Sequence, residues 1–120
     1  MFDHIGLNAS DHKKSTDFYT KALAPLGYGP IKDFGTWIGF GKGDKAQLWI
    51  VAREPASTGT HIALSASDRK SVDAFYAAAM AAGGKDNGKP GVRADYSPTY
   101  YAAFVFDPDG NNIEVVSHSA

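Results

Sequence analysis

The sequence predicts an α+β domain built from two βαβββ modules that form a curved mixed sheet around a cleft. An internal repeat is the first observation behind this. A shift of 57 positions lays His4-Ile5-Gly6-Leu7-Asn8-Ala9-Ser10-Asp11 over His61-Ile62-Ala63-Leu64-Ser65-Ala66-Ser67-Asp68, and the same shift brings Lys13 onto Lys70, Phe18-Tyr19 onto Phe75-Tyr76 and Gly27 onto Gly84. A gapless repeat of this length points to a duplicated unit whose copies pack as pseudo-symmetric partners. The second observation is periodicity, since each copy opens with two-residue alternation and continues at helical spacing. The third is a set of glycine-bearing turns that divide the rest of each half into short strands.

Taken in order, Asp3 to Ala9 places Ile5 and Leu7 on one face of a strand and His4, Gly6 and Asn8 on the other. Ser10 or Asp11 caps a helix through about Leu23, and Pro25 and Gly27 end it. Strands follow around Gly29–Phe34, Trp37–Phe40 and Ala46–Val51, with Gly41-Lys42-Gly43-Asp44 as the turn between the last two. The modules are expected over about residues 1–54 and 60–120, joined by a linker near 55–59 that contains Pro55, Ser57 and Thr58. Thr60–Ala66 then reads as a strand and Asp68–Ala82 as a helix stopped by Gly83-Gly84. Lys85–Pro98 is poor in strand formers and is expected to hold a short strand and a long loop. Tyr100–Phe106 and Asn112–Val116 are strands joined by the strong turn Asp107-Pro108-Asp109-Gly110.

Composition narrows the function classes. With 120 residues, 43% apolar, 21% charged and a net charge of −1, the chain is one domain able to bury a core. No basic stripe exists to neutralise phosphates, which argues against nucleic acid or an anionic membrane as partner. The absence of cysteine excludes disulfides, thiolate metal sites and a cysteine nucleophile. No leader-like start or membrane-length apolar run is present, so a cytoplasmic location is expected.

Alternation sorts the candidate chemistry. If Ile5-x-Leu7 and Ile62-x-Leu64 lie under the helices, His4 and His61 point to the opposite face. Overlaying the later turns, Gly43 on Gly110, is a shift of 67 and sets Gln47 against Glu114. The predicted constellation is His4, Gln47, His61 and Glu114. Two imidazoles, a carboxylate and an amide oxygen suit a divalent ion such as Zn, Ni, Mn, Fe or Co. Trp37, Trp49, Tyr96, Tyr100 and Tyr101 are candidate pocket walls, Trp49 on the Gln47 face. Arg93 is a candidate partner for an anionic substrate group. His12 and His118 are expected to have no chemical role.

The motifs Asp3-His4-Ile5-Gly6-Leu7, Phe18-Tyr19, Gly59-Thr60-His61-Ile62-Ala63-Leu64 and Asp107-Pro108-Asp109-Gly110-Asn111-Asn112-Ile113-Glu114 resemble the vicinal oxygen chelate superfamily. That group contains glyoxalases, bleomycin-resistance proteins and extradiol dioxygenases. The resemblance spans essentially the whole chain. It implies metal ligands from the first and fourth strands of each module, mapped here onto His4, Gln47, His61 and Glu114. The set is also similar to that of methylmalonyl-CoA epimerase. Fosfomycin-modifying members use His, His and Glu but carry threonine where this chain has Gly6. The resemblance implies a homodimer, with the cleft either inside one chain or shared between modules of two chains. The expected function is a small metalloenzyme, a lyase or isomerase, that moves a proton next to a metal-chelated carbonyl of a small molecule, with Glu114 as base. The alternative is a metal-free small-molecule binder of the bleomycin-resistance kind, with the aromatic residues stacking on the ligand.

Overall fold

The computed structural model describes residues 1–120. In chain order its elements are β1 (Ile5–Ala9), α1 (His12–Leu23), β2 (Gly29–Asp33), β3 (Trp37–Lys42), β4 (Lys45–Ala52), β5 (His61–Ser65), α2 (Arg69–Ala81), β6 (Lys85–Val92), β7 (Tyr101–Phe106) and β8 (Asn112–Ser117). They build two four-stranded mixed sheets, ordered β1-β4-β3-β2 and β5-β8-β7-β6. In each, the opening strand runs parallel to the last strand of its half, and the remaining pairs are antiparallel. Both halves are therefore βαβββ with one strand order. No helix is long and apolar enough to cross a membrane.

The repeat extends to helix caps. The Asp11 carboxylate accepts from the Lys14 backbone N–H at 3.1 Å, and Asp68 accepts from that of Ser71 at 2.8 Å. Each bond satisfies one of the donors left open in a first helical turn. A short 3-10 turn over Ala24–Leu26 follows α1, and Gly27 closes it at a positive φ of 84°. Phe18, Tyr19, Ala22 and Leu23 of α1 and Val72, Phe75 and Ala79 of α2 are buried. They join Leu7, Phe40, Leu48 and Ile50 of the first sheet and Ile62, Val105, Ile113 and Val115 of the second in one core. Each sheet thus spends one face on a common core and leaves the other facing away from it.

Three boundaries differ from the sequence reading. The β3–β4 turn is only Gly43-Asp44, because β3 continues through Lys42. Within β4, pairing steps from Phe40↔Leu48 to Gly41↔Ala46, which makes Gln47 the extra residue of a bulge. The weak segment after α2 forms an eight-residue strand, β6, with two irregularities in its pairing to β7. Pairing to a strong neighbour outweighs its poor intrinsic propensity.

The Asp107–Asn111 turn does more than reverse the chain. Its Asp107 carboxyl, 7% exposed, accepts from Tyr19 Oη at 2.5 Å, from Asn111 Nδ2 at 2.9 Å, and from the backbone N–H groups of Asp109 and Asn111. Asp109 accepts from the backbone N–H and hydroxyl of Ser10. Asn111 Nδ2 also donates to the Ser57 carbonyl, and its Oδ1 accepts from the Thr60 N–H. One turn of the second half therefore grips α1 and its approach in the first half, together with the linker. Burial, then the Asp107 charge, pushes the Tyr19 hydroxyl well above its ordinary pKa, so it remains a donor.

Tyr19→Phe is expected to cost about 1–3 kcal/mol, the range for losing a buried hydrogen bond to a carboxyl group. Urea unfolding followed by tryptophan fluorescence should show a lower midpoint at unchanged slope. Asp107→Ala should cost more, because it strands several buried donors at once.

Candidate functional site

The second sheet carries the densest polar chemistry on its outer face. Ala63 and Phe104 sit on either side of Glu114 in register, so their side chains share its face. The Glu114 side chain is only 3% exposed. Its Oε1 lies 2.9 Å from His61 Nε2, and its Oε2 accepts a hydrogen bond from Tyr100 Oη. A carboxylate this buried needs such partners, since desolvation without them costs several kcal/mol. Tyr96 and His118 pack edge-on against the Tyr100 ring, with centroids 4.9 and 5.2 Å away. The hydrogen bond to Glu114, followed by desolvation, pushes Tyr100 up to about 12. Tyr100 therefore donates across the physiological range and holds the carboxylate in one orientation.

Arg93 lies with its guanidinium 5.3 Å from the Phe104 ring centre, and its two terminal nitrogens donate to the Gly91 and Lys89 carbonyls. It borders the Glu114 face but is anchored to its own strand. Tyr101, one residue out of phase with Tyr100, turns to the other face. There it packs against the core and donates to Asp73 at 2.6 Å, with Arg69 over its ring. The structure separates it from Glu114.

The outer face of the first sheet is a hollow of about 900 Å³ lined by His4, Gly6, Asn8, Trp37, Trp49 and Arg53 among others. Trp49 lies across Gly39, where an added Cβ would fall 2.9 Å from the indole Cη2. Phe34 stacks parallel to Trp49 within 8°, at 5.9 Å between centroids, and Arg53 lies 5.5 Å from the Trp37 ring centre. His4 Nδ1 is 2.7 Å from Asp3 Oδ1, while Lys45 binds the other Asp3 oxygen. The carboxylate orients the imidazole and leaves Nε2 free, the pattern common behind metal-ligating histidines.

Strand register corrects one sequence expectation. Gly6 pairs with Trp49 and Ala63 pairs with Glu114, while Gly6 and Ala63 are equivalent under the 57-residue shift. The first-half counterpart of Glu114 is therefore Trp49 and not Gln47. Aligning the turn glycines misled because the second turn holds five residues, 107–111, against two in the first, and because Gln47 is a bulge residue. The bulge also takes Gln47 off the Trp49 face. It lines a separate apolar hollow of about 180 Å³ with Leu23, Tyr28, Phe40 and Leu48, which His4 borders as well.

His61, Glu114 and Tyr100 are thus brought together; His4, Trp37 and Trp49 belong to the other sheet's outer face. No cluster of three or more His, Asp or Glu side chains able to hold a metal forms within one chain. Phe34 and Phe104 also border these two faces without having been singled out by the sequence, and His118, expected to have no chemical role, packs against Tyr100. Alternation from Glu114 two strand positions past Val116 would have placed His118 nearby; Tyr96, a candidate pocket wall, reaches Tyr100 from the β6–β7 loop.

Comparison with known proteins agrees with this architecture. The family model Glyoxalase/Bleomycin resistance protein/Dioxygenase superfamily matches residues 1–115, and the chain belongs to that superfamily. A glyoxalase/bleomycin resistance protein from Albidiferax ferrireducens T118 is similar at 28% identity and a TM-score of 0.83, covering 98% of each chain. A glyoxalase/bleomycin resistance protein/dioxygenase family enzyme from Burkholderia phytofirmans PsJN shares the fold at 17% identity and a TM-score of 0.75, over 98% of each chain. Glyoxalase I from Zea mays shares it at 18% identity and a TM-score of 0.71, over 96% of this chain and 43% of that one. No curated protein matches the chain.

Tyr100 supplies a pH signature. Its folded-state value lies above the ordinary 10, so its contribution to stability is complete below pH 10 and is lost as pH rises to about 12. In ¹³C NMR of the tyrosine ring carbons, the resonance missing in Tyr100→Phe should titrate near 12. Glu114→Gln should move it down toward 10; an unmoved midpoint would break the assigned pairing.

Proposed function

We propose that this chain is a small metalloenzyme of the glyoxalase type, a lyase or isomerase that moves a proton next to the carbonyl of a small molecule. The observation that carries the reading is Glu114: a carboxylate 3% exposed, on the face away from the core, with His61 and Tyr100 holding its two oxygens. Core packing does not require an acid there. In this reading Glu114 Oε1 takes the proton from the substrate carbon and returns it to the adjacent position, and Tyr100 keeps Oε2 fixed meanwhile.

The donor set fits a divalent ion in kind but not within one chain. His61 and Glu114 offer convergent donors, while His4 lies on the other sheet. A homodimer in which His4 comes from a second copy would give two histidines and one carboxylate, a set suited to Fe, Mn, Co, Ni or Zn. Such an ion would supply Lewis-acid polarisation of the carbonyl. Gln47, on a bulge away from the Trp49 face, is left out of this set.

A second reading, a metal-free binder, draws on a different observation: Trp49 stands where the duplicated Glu114 position falls. The two readings separate by elemental analysis. Untagged protein loaded with Ni, Zn, Mn, Co or Fe and desalted should retain about one ion per chain and sediment as a dimer. His61→Ala and Glu114→Gln should each lower retention at least tenfold with unchanged circular dichroism. Wild-type protein that keeps no metal under any condition leaves only the binder.

A further inference from the structure

Beyond the proton-transfer pair, the outer face of the first sheet has a chemistry of its own. Two glycines, Gly6 and Gly39, flank Trp49 in register, and no atom lies within 4 Å of where a Gly6 Cβ would stand. The indole therefore lies close over Gly39, with the Ala46 side chain beside it, and the hollow stays open over Gly6. Phe34 stacks on the indole and is itself 68% exposed, so its outer side is open; Trp37, on the same face, is 46% exposed. Exposed aromatic rings gathered over one hollow mark a binding surface far more often than scattered apolar residues do.

The charges of the hollow are unbalanced. Lys32, Lys45 and Arg53 line it against one acid, Asp3, and Asp3 is already engaged by Lys45 and His4. Lys32 and Arg53 form no ion pair with any carboxylate of the chain. Both are exposed and free to meet an incoming anion. A flat ring and an unpaired cation pair at its margin select together for one kind of ligand.

We propose that this hollow binds a planar aromatic carboxylate, its ring lying against Trp49 and Phe34 and its anion meeting Lys32 and Arg53. This names the ligand class of the face and rests on the function proposed above only in so far as Glu114 acts on the same molecule. The proton it moves then lies beside a second carbonyl, since the ring carbon that bears the carboxylate has none. Within the duplicated fold, one copy of the equivalent position then handles the proton, and the other holds the ring. The ring seat accounts for why the first half carries an indole where the second carries an acid.

The test uses the only two tryptophans of the chain, both in this hollow. Their indole N–H resonances in ¹⁵N-labelled full-length protein report directly on its occupancy. Titration with 2-naphthoate should shift both resonances saturably. The neutral isostere 2-naphthamide and the non-planar cyclohexanecarboxylate should each bind at least fivefold more weakly. A Lys32→Gln/Arg53→Gln double variant, changed only at exposed side chains, should lose at least fivefold in affinity for 2-naphthoate and keep its affinity for 2-naphthamide. Equal binding of acid and amide, or a double variant that binds 2-naphthoate like the wild type, overturns the proposal. So do indole resonances that move on dilution but not with 2-naphthoate, which would give this face to a second copy. Glu114→Gln should bind 2-naphthoate normally. Metal retention without 2-naphthoate binding therefore defeats the ligand class alone, and 2-naphthoate binding without metal retention defeats the metalloenzyme reading alone.

Discussion

Asp107 is the point on which the two halves depend. A carboxyl group so nearly buried is tolerable only when its oxygens are filled, and here four donors fill them. Three come from its own turn, which fixes the turn's shape. The fourth, Tyr19, comes from the other module across 88 positions of sequence. Asp109 and Asn111 extend the same grip to Ser10, Ser57 and Thr60. Apolar burial between the halves is non-directional and would permit sliding. These directional bonds set the one relative placement in which α1 and α2 share a core.

That placement determines where chemistry can sit. Because both sheets give their helix-side faces to one core, polar side chains are confined to the outer faces, where alternation delivers them in register. His61, Glu114 and Phe104 arrive together for that reason, and so do Gly6, Gly39 and Trp49. A consequence is that the two faces do not meet inside one chain. His4 lies just before β1 and His61 opens the equivalent β5, yet no three-residue His, Asp or Glu cluster unites them.

Much of this was legible from the repeat. The His4/His61 shift located both opening strands and both helices, with Asp11 one of two cap candidates for the first, because periodicity and capping are local properties written in neighbouring residues. Register was not legible. The error at Gln47 came from treating two turns as equal when one has five residues and the other two, and a bulge then absorbed the mismatch. A one-residue slip changes the face of every side chain that follows, so a small error in loop length becomes a large error in the site. Tyr101 shows the same sensitivity: it differs from Tyr100 by a single position and faces Asp73 instead of Glu114. The role of the Asp107–Asn111 turn beyond reversing the chain was hidden for another reason, since its partner Tyr19 is remote in sequence.

Duplication begins with two identical positions, and divergence between them carries information about use. In the second half the position is acidic, roofed by Tyr100 and backed by His61, an arrangement that costs desolvation and contributes little to the core. In the first half it is an indole, laid over glycine at a position where a Cβ would collide with it. Glycine in a strand weakens that strand, because it adds backbone entropy and removes packing. Both positions therefore carry a cost that stability alone does not repay. Two such costs, at equivalent points of a duplicated frame and of opposite chemical character, are explained together if one position moves a proton and the other holds what is being acted upon.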